Sequence, residues 1–244
     1  MKKTLIAAIC ITALAGACGE GTPATPQRVL PQGREAVDLN PSDFTTNIDN
    51  PYWPMAVGSK WVYRETDAEG SEQRVEVTVT GKTKMIANGV EARVVHDVVT
   101  QDAVPVEVTD DWYAQDSEGN IWYLGEATTS YENGKPTSTE GSFEAGKDGA
   151  HAGIVMPADP EPGMKYRQEY YKGHAEDRAE IVGLDETIEV PFGRFGNVLK
   201  TKDTNPLEPD LLEYKYYAKG IGPVLAETVR GGSDREELIG YTKG

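Results

Sequence analysis

The sequence predicts an all-β protein: a curled antiparallel meander, shaped as an open or half barrel or as two packed sheets, behind a signal peptide and a flexible tether. Three observations carry this expectation. Beyond Pro54 the apolar residues come in short runs, several of them strictly alternating. Turn residues separate the runs, and the 3.6-residue apolar period of a helix is nearly absent.

Taken from the N-terminus, Met1-Lys2-Lys3, the apolar stretch Leu5 to Leu14 and the small residues Ala15-Gly16-Ala17 give residues 1–17 the layout of a secretory leader. That stretch is too short to remain as a spanning helix. Residues 18–50 read as a flexible tether, because Pro, Gly, Thr and Asn are spread through them without an apolar period. Residues 51–244 then form a single antiparallel β domain. Within it Val75, Val77 and Val79 alternate with Glu76, Thr78 and Thr80, which buries one face and wets the other. Comparable runs at 61–65, 90–99, 104–113, 121–131, 165–171, 179–184, 187–192, 198–202, 211–218, 224–229 and 237–242 bring the total to about twelve strands. Asn88-Gly89, Glu118-Gly119-Asn120 and Asn133-Gly134 supply the positive φ angles of tight hairpins, so neighbours in sequence become neighbours in the sheet. The Pro- and Gly-rich residues 144–163, and residues 204–209 with Pro206 and Pro209, read as loops, and long loops on a rigid sheet tend to carry binding residues.

The charge inventory excludes several functions. Forty acidic side chains against 24 basic ones give a net charge of −16, the wrong sign for a phosphate-binding surface, so no nucleic-acid partner is expected. Removal of Lys2 and Lys3 with the leader makes the mature chain more acidic still. Two cysteines cannot build a disulfide scaffold or a four-thiolate zinc site. Cys10 leaves with the leader, and Cys18 directly follows the cleavage site.

Leu14-Ala15-Gly16-Ala17-Cys18 resembles a bacterial lipoprotein box, although its Leu stands one residue further from the cysteine than usual. The resemblance implies an acylated Cys18, hence a membrane partner through an acyl anchor. Because Gly19 is not the Asp that retains lipoproteins at the inner membrane, it also implies an exported protein at the outer membrane or facing the periplasm. Three further segments belong together. They are Asn50-Pro51-Tyr52-Trp53-Pro54-Met55 running into Gly58-Ser59-Lys60-Trp61-Val62-Tyr63, then Asp111 to Asp116 with Gly119-Asn120-Ile121-Trp122-Tyr123, and Tyr216-Tyr217-Ala218-Lys219-Gly220-Ile221-Gly222-Pro223-Val224. Together they resemble a group of uncharacterised secreted bacterial proteins and lipoproteins with Gly-x-x-Trp-x-Tyr and Tyr-Tyr-Ala-x-Gly-x-Gly segments. That likeness implies an antiparallel β fold and no known enzyme family.

The sequence supports binding more than catalysis. No Gly-x-Ser-x-Gly turn accompanies a histidine, and His96, His151 and His174 are widely spaced, which leaves a secreted hydrolase as the weakest alternative. No cofactor is predicted. Imidazole with thioether is a copper ligand set in an exported protein, so His151, Met156, Met164 and His174 are the candidate metal ligands, while acidic clusters at 110–118, 176–177 and 203–210 could suit calcium. Aromatic pairs are the other signal. Trp53, Trp61, Trp112, Trp122, Tyr170 and Tyr216 are the candidate ligand-binding residues, because adjacent residues in a strand point to opposite faces and each pair sends one ring inward. The resulting expectation is an exported, lipid-anchored binding module for an apolar or lipid-like ligand or an envelope protein.

Overall fold

Alternating side chains and positive-φ turns fold the chain into an antiparallel sheet that nearly closes as a barrel with one seam. The structure, a computed structural model, describes residues 30–244, so the leader, Cys18 and the start of the tether lie outside the described residues. The strands are β1 (Phe44–Thr45), β2 (Lys60–Thr66), β3 (Glu72–Met85), β4 (Glu91–Gln101), β5 (Val104–Asp116), β6 (Ile121–Glu132), β7 (Lys135–Ser138) and β8 (Phe143–Glu144). They continue with β9 (His151–Met156), β10 (Lys165–Arg167), β11 (Glu169–Tyr170), β12 (Arg178–Val190), β13 (Gly193–Asn205), β14 (Glu208–Ala218), β15 (Gly222–Arg230) and β16 (Arg235–Thr242).

Strands β2 to β6 form one meander and β12 to β16 a second, and the pairing of β16 with β2 joins them. On the far side β9 extends the first meander from β6, with β11 beyond it, while β10 extends the second from β12. Gln168 alone connects β10 to β11, so the chain steps across the seam within a single residue. Two features allow this. Arg167 is 1% exposed and sends Nε and Nη2 across to the Ala152 carbonyl at 3.1 and 2.9 Å. Gly153 lets the backbones meet, since a Cβ there would lie 2.3 Å from the carbonyl carbon of Gln168.

The hairpin dipeptides behave as their chemistry requires: Asn133 and Gly134 have φ of 51° and 71°, the positive pair of a two-residue turn between β6 and β7. Other expectations need correction. Residues 179–184 and 187–192 are one strand, β12, whose register shifts around Gly183 instead of breaking. Residues 144–163 are not a loop throughout, because Ile154, Val155 and Met156 are apolar enough to be buried as part of β9. Residues 204–209 shrink to the tight turn between β13 and β14.

The tether also ends earlier than its composition suggests. From Leu30 onward it straps the barrel: Leu39 and Ile48 are buried, β1 pairs with β5, and Phe44 meets Trp122 edge-on at 6.1 Å. Few apolar residues are needed, because polar groups do the fastening. Gln115 Oε1 accepts from the amides of Asp49 and Asn50, and Asn50 Nδ2 donates to the carbonyls of Gly119 and Pro157. Outward-facing side chains of the sheet are ion-paired, as in Arg64–Glu237 at 2.9 Å and Arg235–Glu227 at 2.8 Å. Such a surface faces water, unlike the apolar band of a lipid-facing barrel.

Candidate functional site: the barrel lumen

Directly opposed residues of an antiparallel pair project from the same face, so the inward rows can be followed around the barrel. One row runs Val77, Asp97, Thr109 across β3, β4 and β5, and a second runs Val95, Asp111, Glu126 across β4, β5 and β6. A third runs Thr201, Lys215, Ala226, Glu236, Glu65 across β13 to β16 and β2. These rows converge on an interior cavity of about 510 Å³.

One end of the cavity is closed and aromatic. Trp53 lies against Tyr113 and Tyr217 with ring centroids 5.7 and 5.8 Å away, and Tyr113 stacks on Tyr123 at 5.0 Å. Trp61 and Tyr63 fill the neighbouring wall, donating to the carbonyls of Ile221 at 2.9 Å and Pro223 at 3.1 Å. Gly222, at φ 114°, is what seats Trp53, because a Cβ there would come 2.6 Å from the indole Cδ1. The Gly220 amide donates to the Pro51 carbonyl, which ties the same turn to the Asn50-to-Met55 segment. The three segments singled out in the sequence therefore meet at this end of the lumen.

Toward the other end the lining turns acidic and more accessible. Asp97, Glu126, Glu169, Asp177 and Glu236 are half-buried there, and Asp111 lies deeper. The Tyr123 hydroxyl lies 2.6 Å from Asp111 Oδ1 and 2.7 Å from Glu126 Oε2. It has one proton to donate, so the second contact is made when the other carboxyl carries a proton and donates it. Burial pushes the Asp111 carboxyl well above the usual carboxylate range and raises that of Glu126. Glu169 and Asp177 hydrogen-bond to one another, and burial followed by repulsion from the partner lifts Glu169 well above the ordinary range. Asp97 is pushed up to about 7 by burial and by Glu107, and Glu236 to about 8 by burial, Asp97 and Glu65. Lys215 is the one ammonium lining the cavity among the described residues. Its Nζ lies 3.4 Å from Asp203 and 3.2 Å from Glu213, and against the effect of burial these carboxylates hold its pKa well above the usual lysine value.

Of the residues expected from sequence to bind a ligand, Trp53 and Trp61 line the cavity. At 112–113 and 122–123 the tyrosine faces the cavity while the tryptophan packs elsewhere. Trp112 lies beneath the Lys84 ammonium at 4.1 Å, and Trp122 donates to Asp116 Oδ2 at 2.8 Å. Tyr216 bonds Glu227 at 2.8 Å, and Tyr170 stacks on His151 at 5.7 Å; neither lines the cavity. The proposed metal ligands are not gathered. His151 and Met156 occupy opposite ends of β9, roughly 17 Å apart at the rise of an extended strand, so one ion cannot bind both. Met156 is fully buried, Met164 is half-buried beyond the seam, and His174 is exposed and stacks on Tyr171 at 4.5 Å. Among the described residues no three His, Cys, Asp or Glu side chains form a metal-holding group. His96 bonds Asp110 at 2.7 Å, so the three histidines stand on separate elements with separate partners. The acidic lining was missed, because in Val94-Val95-His96-Asp97-Val98-Val99 valines stand on both faces and the pattern does not say which way Asp97 points.

No protein-family model matches the chain, and no curated protein matches it. Among solved structures the chain is similar to a crystal structure described as a "putative lipoprotein" from Parabacteroides distasonis, at 14% identity and a TM-score of 0.42, covering 78% of this chain and 98% of that one.

Proposed function

We propose that the protein is an exported, lipid-anchored envelope protein that binds a small amphipathic molecule in the lumen of its barrel. The supporting observation is a cavity of about 510 Å³ with an aromatic closed end and a polar, accessible one, within the size range of small-molecule sites. The aromatic end suits the apolar body read from the sequence. The carboxyl groups at the other end require that the ligand also carry a polar head, which narrows the lipid-like expectation. Export and anchoring rest on the leader and on the lipoprotein-box resemblance at Cys18.

Native mass spectrometry of the protein released gently from its own envelope tests the binding. The expected result is a bound species of a few hundred daltons that is lost in Trp53→Ala, a variant that removes the ring seated against Tyr113 and Tyr217. An apo mass for the wild type, with no quenching of its tryptophan fluorescence by an envelope extract, would overturn the reading. Metabolic labelling with a fatty acid tests the anchor: label should enter the wild type and not Cys18→Ser.

A further inference from the structure

We infer that the lumen takes an organic cation, with an apolar body against the Trp53, Tyr113 and Tyr217 rings and an ammonium head among the carboxyls of Asp97 and Glu236. The inference rests on the reading that the lumen binds a ligand and names the class of that ligand.

Charge bookkeeping within the barrel is the first argument. Six carboxyl groups line the cavity, from Asp97, Asp111, Glu126, Glu169, Asp177 and Glu236, against the single ammonium of Lys215. That ammonium is already held by Asp203 and Glu213. Among the described residues none of the six has a Lys or Arg nitrogen within ion-pair distance, whereas the outer-face Glu227, Glu237 and Glu144 each have one. Burying carboxylates without countercharge is costly, and such groups keep protons instead. The Asp111–Tyr123–Glu126 bridge and the Glu169–Asp177 pair are arrangements of that kind. A ligand bringing positive charge can displace those protons and supply the missing countercharge.

Unmet hydrogen bonding is the second argument. Asp97 Oδ1 is buried on the lumen side without a hydrogen-bond partner. The lumen thus holds an acceptor in want of a donor, which an ammonium N–H provides. The rings are the third argument, since Trp53, Tyr113 and Tyr217 offer the apolar body of an organic cation a surface to pack against. An anionic head would meet six acids. A bare metal ion would leave the aromatic end unused.

Titration of the purified mature chain with 2-phenylethylammonium, with its uncharged carbon isostere propylbenzene and with phenylacetate separates the possibilities, read by calorimetry and tryptophan fluorescence. The cation should bind at least about ten-fold more tightly than the isostere, and phenylacetate should bind most weakly. Binding should release protons, because Asp97, faced by His96, Glu107 and Glu65, and Glu236, faced by Asp97, Glu65, Lys215 and Glu213, then ionise. Asp97→Asn and Glu236→Gln should each weaken the cation about ten-fold and leave the isostere unchanged. Equal affinity for cation and isostere would overturn the cationic class while leaving lumen binding intact. Failure of all three to bind would overturn both. Competition by calcium alone at comparable concentration would also overturn the organic class, in favour of an inorganic cation.

Discussion

Arg167→Met removes the clasp of the seam while keeping a side chain of similar reach. The guanidinium bonds the Ala152 carbonyl twice, at 3.1 and 2.9 Å, and its Nη1 donates to the carbonyls of Gly33 and Glu35 in the strap. Gly33 and Glu35 are accessible, so water can take over there, but Ala152 is 2% exposed and its carbonyl would be left bare. A hydrogen bond to a charged group contributes about 1.5–3 kcal/mol, and an unsatisfied buried carbonyl costs about 1–3 kcal/mol. Part of this is returned, because a thioether is easier to bury than a guanidinium. The net expectation is a loss of about 2–4 kcal/mol in urea unfolding, or roughly 4–16 °C in Tm for a domain of this size. Hydrogen exchange supplies the local readout: amides of residues 30–39 and of β9 should lose protection, while those of the β2–β4 meander keep it. Arg167→Lys should fall between, since an ammonium restores the charge without the planar fork. A loss below about 1 kcal/mol, with the strap still protected, would refute the clasp, because the bare Ala152 carbonyl alone should cost that much.

Gly153→Ala should destabilise the fold by about 1–3 kcal/mol, since its Cβ would strike the Gln168 backbone; an unchanged urea midpoint would show that the two backbones do not meet closely at the seam. Tyr123→Phe removes the hydroxyl between Asp111 and Glu126 and should cost about 1–3 kcal/mol. In a double-mutant cycle with Asp111→Asn the two losses should be non-additive, and strict additivity would argue against the bridge. Stability should depend on pH with a definite sign. Asp97 and Glu236 keep protons to about 7 and about 8 when folded, so the unfolded chain ionises first. Stability therefore falls as pH rises from about 4 toward 8 and levels off above, and Glu236→Gln flattens the slope; a Tm rising across that window would contradict the assignment.

What the sequence made legible follows its physical signals. Strands such as β3 and β5 announce themselves by alternation and flanking turns, and these act within a few residues of one another. The seam has no such signal. Ile154-Val155-Met156 lies between prolines and glycines, and it becomes a strand only because β6 offers it a free edge. The strap is equally silent, fastened by Gln115 and Asn50 across a long stretch of sequence. Within the site, tryptophans stood out in the sequence, yet at two Trp-Tyr pairs the lumen takes Tyr113 and Tyr123, since the pleat decides which neighbour faces inward. The carboxyls were hidden by number, because among forty acidic residues nothing local distinguishes inward Asp97 from outward Asp110. Only the closing of the barrel does so.

That closing also says where the fold gives up stability. On the outside, acids such as Glu237 and Glu227 sit beside arginines, at little cost and little gain. Inside, six acids share a cavity with one lysine that is already engaged, and each proton they hold at neutral pH is held against the tendency of a solvated carboxyl to release it. A core of this size could be filled with Leu and Val, as the rows through Val75, Val77 and Val95 show, so the acidic lining does not serve packing. Its cost grows with pH as Asp97 and Glu236 ionise, and an organic cation gains affinity over the same range. Because a ligand stabilises the folded state by mass action, the stability lost on raising the pH is the part a bound ammonium would restore. The aromatic end supplies no such coupling, which is why the acids, and not the rings, define the ligand class.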